Sequence, residues 1–370
     1  MVIVSENATD ETAGDPAVTH GMTGDDAQTE SRQTLAERFP GLVCDLDGVV
    51  YRGAQPVPHA IESLTAVSRS GGGLVYATNN ASRTPEAVAE SLRALGLQLE
   101  ADAVLTSSVA GARYLTEQVS QGAAVLAIGG SGVAEALRDA GFRPVSADDA
   151  SRSQVEAVLQ GYGAQVTAAE LGEAAYAIQG GALWVATNDD LTLPTDRGVA
   201  PGNGSLVRAV RVAVDTDPTV VGKPGPLLYQ LAAQTLGTDA EHTLGIGDRL
   251  ETDIAGAHAA GMSALHVLTG VHGPADLVRA RPQLRPRFVA EDLRALTEPY
   301  AEPRRALDGR WHIAEASAVA VGAGETFRID FDGSPDRIAR LRLALQLIWE
   351  SVDAGALTAE QAVAALPTRS

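Results

Sequence analysis

Short apolar runs alternate with helical stretches through most of this chain, and no other feature narrows its possible folds as much. Leu42-Val43-Cys44 precedes a helical pattern over 60–67, Leu74-Val75-Tyr76-Ala77 precedes another over 86–95, and further runs follow at 124–128, 183–186, 219–221, 243–246 and 264–268. Helical spacing fills 227–236 and 253–260 between the later runs. Such alternation is the pattern of βαβ units, whose parallel sheet is covered by helices on both faces. The fold class read from the chain is therefore α/β nearly throughout. With 370 residues, 45% of them hydrophobic, the chain can bury at least one full core and has the length for two domains.

Composition removes several functions. Lys+Arg 28 against Asp+Glu 47 leaves a net charge of -19, which argues against a broad surface for nucleic acid or anionic lipid. No stretch approaches the roughly 18 to 20 apolar residues of a membrane span, and the N-terminus lacks the basic start and apolar core of a secretion signal. A cytoplasmic protein is expected. The single cysteine, Cys44, excludes an internal disulfide and a cysteine-built zinc site. Residues 1–31 carry seven acidic side chains and no Lys or Arg, without apolar periodicity, so residues 1–35 are read as a disordered acidic tail.

The strongest chemical signal is Val43-Cys44-Asp45-Leu46-Asp47-Gly48, an apolar strand that runs directly into two aspartates at i and i+2. Extended geometry would put both carboxylates on one side, at the carboxyl end of a strand, where α/β sheets open into their binding crevice. Three other strand ends add complementary groups. Gly247-Asp248-Arg249-Leu250-Glu251-Thr252-Asp253 brings more carboxylates, and one from each strand would suit a hard cation such as Mg²⁺. Thr78-Asn79-Asn80 supplies hydroxyl, amide and backbone donors for phosphate oxygens. Lys223, in Gly222-Lys223-Pro224, brings the positive charge that a phosphate needs beside so many carboxylates.

These four segments, in order, resemble the four motifs of the haloacid dehalogenase (HAD) superfamily. The Thr-Asn-Asn form, the long insert before the lysine, Leu193-Pro194-Thr195 and Pro201-Gly202-Asn203-Gly204 are similar to the NagD, 4-nitrophenylphosphatase and phosphoglycolate phosphatase branch, including actinobacterial glycerol 3-phosphate phosphatases. The resemblance covers about residues 38–290. It implies a Rossmann-like parallel-sheet core at 36–117 and 202–297, interrupted by an inserted α/β (C2-type) cap at 118–201. It implies that Asp45 attacks phosphorus and forms an aspartyl-phosphate, while Asp47 serves as general acid and base. By the same resemblance Asp45, Asp47 through its carbonyl, and Asp248 hold Mg²⁺. Thr78, Asn79, Asn80 and Lys223 bind the phosphoryl group, and Asp253 orients Lys223 or a metal-bound water. The expected substrate is a small phosphate monoester, with glycerol 3-phosphate and 2-phosphoglycolate favoured; a homodimer joined through the cap is implied too.

Three further readings complete the expectations. Val75-Tyr76-Ala77-Thr78-Asn79 is echoed by Val185-Ala186-Thr187-Asn188, and the first copy takes the site role because it follows Asp45 by one β-α unit. Ile128-Gly129-Gly130-Ser131-Gly132 has the start of a dinucleotide loop but Glu135 where the last glycine belongs. Residues 298–370 read as a linker and small α/β appendage with a strand at 327–331 and a helix over 337–352 whose Leu341, Leu345 and Ile348, on one face, are expected to pack on the body or on another subunit. The contrasting function is a phosphate-ligand sensor or interaction module acting through that appendage; intact Asp45, Asp47, Lys223 and Asp248 oppose it.

Overall fold

The computed structural model describes residues 33–150, 153–195 and 197–367. In chain order the core opens with α1 (Leu35–Arg38), β1 (Gly41–Cys44), α2 (Ala60–Arg69), β2 (Gly73–Thr78), α3 (Pro85–Ala94), β3 (Val104–Thr106) and α4 (Ser107–Leu115). An inserted unit follows: β4 (Ala124–Ile128), α5 (Ser131–Asp139), β5 (Arg143–Val145), β6 (Val155–Gln160), α6 (Ala168–Gln179), β7 (Leu183–Ala186), the hairpin β8 (Thr192–Thr195) and β9 (Gly198–Pro201), α7 (Asn203–Arg211) and β10 (Thr219–Val220). The chain returns to the core through α8 (Leu227–Leu236), β11 (Thr243–Gly247), a wide turn at Leu250–Ile254, α9 (Ala255–Ala259), β12 (Ser263–Val267), α10 (Pro274–Arg279) and β13 (Phe288–Ala290). It ends in β14 (Arg304–Arg305), β15 (Trp311–Ile313), β16 (Ala316–Val321), β17 (Arg328–Asp332), α11 (Arg337–Asp353) and α12 (Ala359–Ala364).

The core sheet has the order β13-β12-β11-β1-β2-β3, every pair parallel. Its central strand is buried throughout, as expected of a sheet covered on both faces. Val43 faces one apolar cluster while Leu42 and Cys44 face the other, the period of two that places one residue in each layer. The chain leaves β1 in one direction to β2 and returns on its other side as β11. The reversal of strand order at β1 and β11 opens a crevice at their carboxyl ends. Side-chain caps start helices in both units: Thr84 accepts from Ala87 N before Pro85 on α3 of the core, and Thr167 and Glu170 form a reciprocal capping box on α6 of the inserted unit.

The inserted unit is a second parallel sheet, in the order β10-β7-β6-β4-β5. Its sheet takes in β10, and Val207 and Val210 of α7 pack in its own apolar cluster. Residues 203–220 therefore lie with the inserted unit, past the 201 at which the sequence reading ended it; two-residue β10 had looked like one more strand of the core. The two sheets are not separate bodies. Leu105, Ala110 and Leu115 of β3 and α4 share one continuous cluster with Val125, Val133, Leu159 and Val185 of the insert. The glycine-rich start of α5 lies at this junction. A Cβ at Gly132 would stand 2.6 Å from the Ala81 carbonyl and collide with that of Arg83, so these glycines permit the inserted helix to press against the loop after β2. That packing accounts for the incomplete dinucleotide motif.

Residues 1–32, most of the expected tail, lie outside the described residues. Gln33, Thr34 and Leu35 do not continue it. Gln33 O accepts from Tyr300 N at 3.0 Å, Thr34 caps α1, and Leu35 is fully buried. The appendage is a four-stranded antiparallel sheet, β14-β15-β16-β17, packed on α11. Helix α11 is apolar on two sides: Leu343 and Leu347 lie under that sheet, while Leu341, Leu345, Ile348 and Trp349 join the core cluster with Leu277 and Val278 of α10. Trp349 Nε1 donates to Leu277 O at 2.8 Å, and Arg342, half-buried in this seam, donates to Val289 O at 2.7 Å with its guanidinium 3.8 Å from the centre of the Tyr300 ring.

Two stability measurements follow from these junctions. Trp349→Ala should cost about 3–5 kcal/mol in urea unfolding, the range for removing a buried aromatic side chain; an unchanged midpoint would show that α11 does not hold the appendage to the core. Glu302 receives guanidinium hydrogen bonds from Arg38 and from Arg287 at 3.0 and 3.2 Å. Burial alone would raise its carboxyl, but the two arginines outweigh it and hold it below the ordinary 4.5. Its contribution is therefore complete above about pH 4.5 and fades as the pH falls through the folded-state value. Glu302→Gln should cost about 1–2 kcal/mol at pH 7 and progressively less below pH 4, with a pH-independent loss counting against the ion-pair account.

Candidate active site

Four strand ends and several stretches of the insert meet at the crevice. β1 delivers Asp45 and Asp47, β2 delivers Thr78, Asn79 and Asn80, β11 delivers Asp248, and the loop after β10 delivers Lys223; all line one cavity of about 670 Å³. The insert contributes Tyr162, Asn188, Asp190, Thr192 and Asn203 to the facing wall.

Lys223 is the centre of the arrangement. It is only 4% exposed, and its ammonium donates to Asp45 Oδ1, to Asp253 Oδ1 at 2.7 Å and to Ala77 O at 3.2 Å. Three donors thus find three acceptors, which is what a buried ammonium requires. Burial alone would lower its pKa, but Asp253 and Asp45 hold it well above its usual value, so it stays charged. Asp253 comes from the wide turn at Leu250–Ile254, where Asp253 N and Ile254 N both bond Arg249 O; its second oxygen accepts from Arg249 N at 3.0 Å. A Tyr229 hydroxyl on Asp253 O, at 3.0 Å, fixes the same turn.

The carboxylates divide by what they already hold. Both Asp253 oxygens are engaged. Asp248 is fully buried; its Oδ2 accepts from Val271 N at 2.6 Å, whereas its Oδ1 is buried without a hydrogen-bond partner among the described residues. Carboxylate oxygens of Asp45, Asp248 and Asp253 lie within 4.8 Å of one another. Three acidic groups so close, against one ammonium, leave an excess of negative charge at a buried point. Burial pushes the Asp45 carboxyl well up despite Lys223, and burial followed by the charge of Asp253 pushes Asp248 up. An all-oxygen donor set with an orphaned carboxylate oxygen fits a hard divalent cation held between Asp45 and Asp248. Asp47 lines the cavity from its exposed side, with its carboxyl raised by partial burial. Cys44 adjoins Asp45 in sequence, but it belongs to the opposite face, and burial keeps its thiol protonated.

The phosphate-facing loop is tied down by its own side chains. Thr78 Oγ1 accepts from Asn80 N at 3.1 Å, which leaves its hydroxyl hydrogen to donate, and Asn80 Oδ1 is taken by Ser82. The Asn79 side chain, expected to bind phosphate, is already fully used: Oδ1 accepts from Lys223 N at 2.8 Å, and Nδ2 donates to Lys223 O at 3.0 Å and Asp190 Oδ2 at 3.2 Å. It holds the lysine's backbone in a two-point grip. Gly222 allows that closeness, since a Cβ there would stand 2.7 Å from Asn79 Oδ1 and collide with the Thr187 carbonyl.

Residues that the sequence reading did not assign to the site include Asn188 and Asn203 of the insert and Ser107 of α4. Asn188 Nδ2 donates to Asn79 O at 2.8 Å, Asn203 Nδ2 to Asn188 O at 2.8 Å, and Ser107 Oγ to Asn79 O at 2.6 Å. The echo of Ala-Thr-Asn was the signal for Asn188: the second copy of the turn is bonded to the first.

Comparison with known proteins agrees with this geometry. Residues 42–143 match the model of the haloacid dehalogenase-like hydrolases, and residues 220–296 match that of the HAD-hydrolase-like proteins, on either side of most of the insert. The chain is 40% identical over 322 residues to D-glycerol 3-phosphate phosphatase of Mycobacterium tuberculosis, covering 86% of this chain and 88% of that protein. An acid sugar phosphatase of Staphylococcus aureus is 36% identical over 64% of this chain and 88% of its own length. Among solved structures, the M. tuberculosis glycerol phosphate phosphatase in complex with magnesium superposes with a TM-score of 0.75 at 36% identity, over 86% of this chain and 92% of that one. A p-nitrophenyl phosphatase from Archaeoglobus fulgidus gives 0.64 at 29% identity, over 70% and 98%. An alignment of 322 residues cannot fit within the first 297, so the first of these relatives also shares part of the appendage. Four strand ends that converge on one buried lysine, two family models in register with them and a relative matched over most of both chains place this protein in the haloacid dehalogenase-like hydrolase family.

Proposed function

We propose that the protein is a Mg²⁺-dependent phosphatase that hydrolyses small phosphate monoesters through an aspartyl-phosphate on Asp45. One observation carries the reading: Lys223 and Asp248 Oδ1, which has no partner among the described residues, flank Asp45 in a cavity whose facing wall comes from the inserted unit. A negatively charged nucleophile meets a negatively charged substrate there; Lys223 supplies positive charge on one side, and a cation held at Asp248 would supply it on the other. Held by the carboxylates of Asp45 and Asp248 and the main-chain carbonyl of Asp47, Mg²⁺ would neutralise charge on the phosphoryl oxygens.

The protein's own groups account for the remaining steps. With Oδ1 on Lys223, Asp45 attacks phosphorus through its other oxygen; the P–O ester bond breaks and the leaving alkoxide takes the proton of the Asp47 carboxyl. Asp47, now ionised, removes a proton from water, which attacks the same phosphorus; the bond to Asp45 breaks, releasing phosphate and restoring the carboxylate. A raised Asp47 carboxyl is suited to both halves because it exchanges its proton nearer neutrality. Thr78 and Lys223 stabilise the equatorial oxygens, with Asn80 beside them, and the insert excludes bulk water from the intermediate. Asp253 keeps Lys223 in place.

Within this class we favour glycerol 3-phosphate over 2-phosphoglycolate, because the relative that matches the appendage as well as the core is named for the former. We also read the protein as cytoplasmic, as acting on a small metabolite without nucleic acid, and as a homodimer joined through the insert. The net charge of -19 supports the absence of nucleic acid, exposed Tyr176 and Val212 support the dimer, and no helix among the described residues is long and apolar enough to cross a membrane.

Phosphate release from a panel of esters with Mg²⁺ tests the reading. Asp45→Asn should lower kcat by about 10³-fold or more, and EDTA should abolish turnover until Mg²⁺ is restored; activity that survives either treatment would overturn the mechanism. Asp248→Asn should raise the Mg²⁺ concentration for half-maximal rate by about tenfold or more, with little change once the metal saturates if only affinity is lost.

A further inference from the structure

We propose that Asp190, in the inserted unit, is a positioning residue for the reaction: through Asn79 it holds the backbone of Lys223, so the insert sets the place of the lysine that grips nucleophile and phosphate. The inference rests on the phosphatase reading above.

The hydrogen bonds form a continuous path. Asn203 Nδ2 donates to Asn188 O, Asn188 Nδ2 donates to Asn79 O, and Asp190 N donates to Asn188 Oδ1 at 3.2 Å, so the turn after β7 is closed on itself and docked on the core. Asp190 Oδ2 then accepts from Asn79 Nδ2 at 3.2 Å, which leaves that amide only its second hydrogen, committed to Lys223 O. An amide that donates to a carboxylate on one side is fixed in its flip state, so Oδ1 must face Lys223 N. Without Asp190 the amide can rotate, and both bonds to residue 223 weaken together. The ammonium at the other end of that side chain sits among Asp45, Asp253 and Ala77 O, where small displacements change charge stabilisation most. Asp190 lines the same cavity, so a direct contact with the leaving group is the competing role, and the two roles make different demands.

The test compares Asp190→Ala, Asp190→Asn, Asn79→Ala and the Asp190→Ala/Asn79→Ala double variant in the full-length protein with Mg²⁺. Glycerol 3-phosphate and 4-nitrophenyl phosphate serve as substrates, and thermal midpoints confirm folding. A positioning role predicts that Asp190→Ala lowers kcat by about tenfold on both esters, with KM changed less than about threefold. Asp190→Asn, which still offers Asn79 an acceptor oxygen, should restore most of that loss. The double variant should be no slower than Asn79→Ala alone, because the two residues act in series. Multiplying losses, an Asp190→Asn as slow as Asp190→Ala, or a defect confined to one ester would overturn the proposal, and the first two comparisons with Asp190 stand even where Asn79→Ala fails to fold. Wild-type protein that hydrolyses neither ester would count against the phosphatase reading and the positioning role together, whereas active wild type with additive losses counts against the positioning role alone.

Discussion

An ammonium buried among carboxylates is the constraint around which this molecule is organised. Removing Lys223 from water is costly, and only the acceptors Asp45, Asp253 and the Ala77 carbonyl offset that cost. Those acceptors lie on β1, on the wide turn after β11, and on β2, so the strands must end at one level for the lysine to be satisfied at all. The excess of carboxylate over ammonium at the same point makes a cation part of the charge balance there. Stability and chemistry thus rest on the same few groups. That is a reason the Lys223 ammonium and both Asp253 oxygens are fully engaged, while Asp248 Oδ1 has no partner among the described residues and the charge balance there is incomplete.

The relation of insert to core is closer than a lid over a pocket. β3 and α4 share an apolar cluster with the inserted sheet, the start of α5 presses its glycines against the loop after β2, and the turn after β7 bonds the turn after β2. Rigid apolar packing and a polar bridge at the site make the position of the insert and the geometry of the lysine loop interdependent. The appendage joins at the edge of the core sheet, through α11, Trp349 and the half-buried Arg342.

Much of this was legible in the chain because the relevant signals are local. Strand ends rich in Asp, Thr and Asn stand out against apolar runs, and the parallel α/β class follows from alternation alone. Asp45, Asp47, Thr78, Asn80, Lys223 and Asp248 do line the crevice to which their motifs pointed. What the sequence could not show was which atoms were already engaged. Asn79 reads from sequence as a polar group facing phosphate; only the structure shows its side-chain amide closed on Lys223 and Asp190, two partners more than 100 residues away. The end of the insert was misplaced for a similar reason: a two-residue strand such as Thr219–Val220 pairs where space and register permit, and nothing in its side chains says which sheet that is. Leu35 looked like the end of an acidic tail because its burial depends on core elements far along the chain.

The sequence by itself determined the fold class, the order of the four motifs and the chemical character of the site, since these depend on period, composition and the residues at strand ends. The tertiary structure decided how the second Ala-Thr-Asn turn is used, which carboxylate oxygen is left open, and how Asn79, Asp190 and Lys223 are joined. Those outcomes depend on hydrogen-bond partners brought together across two sheets, and a donor or acceptor carries no mark in the sequence of the partner it will meet.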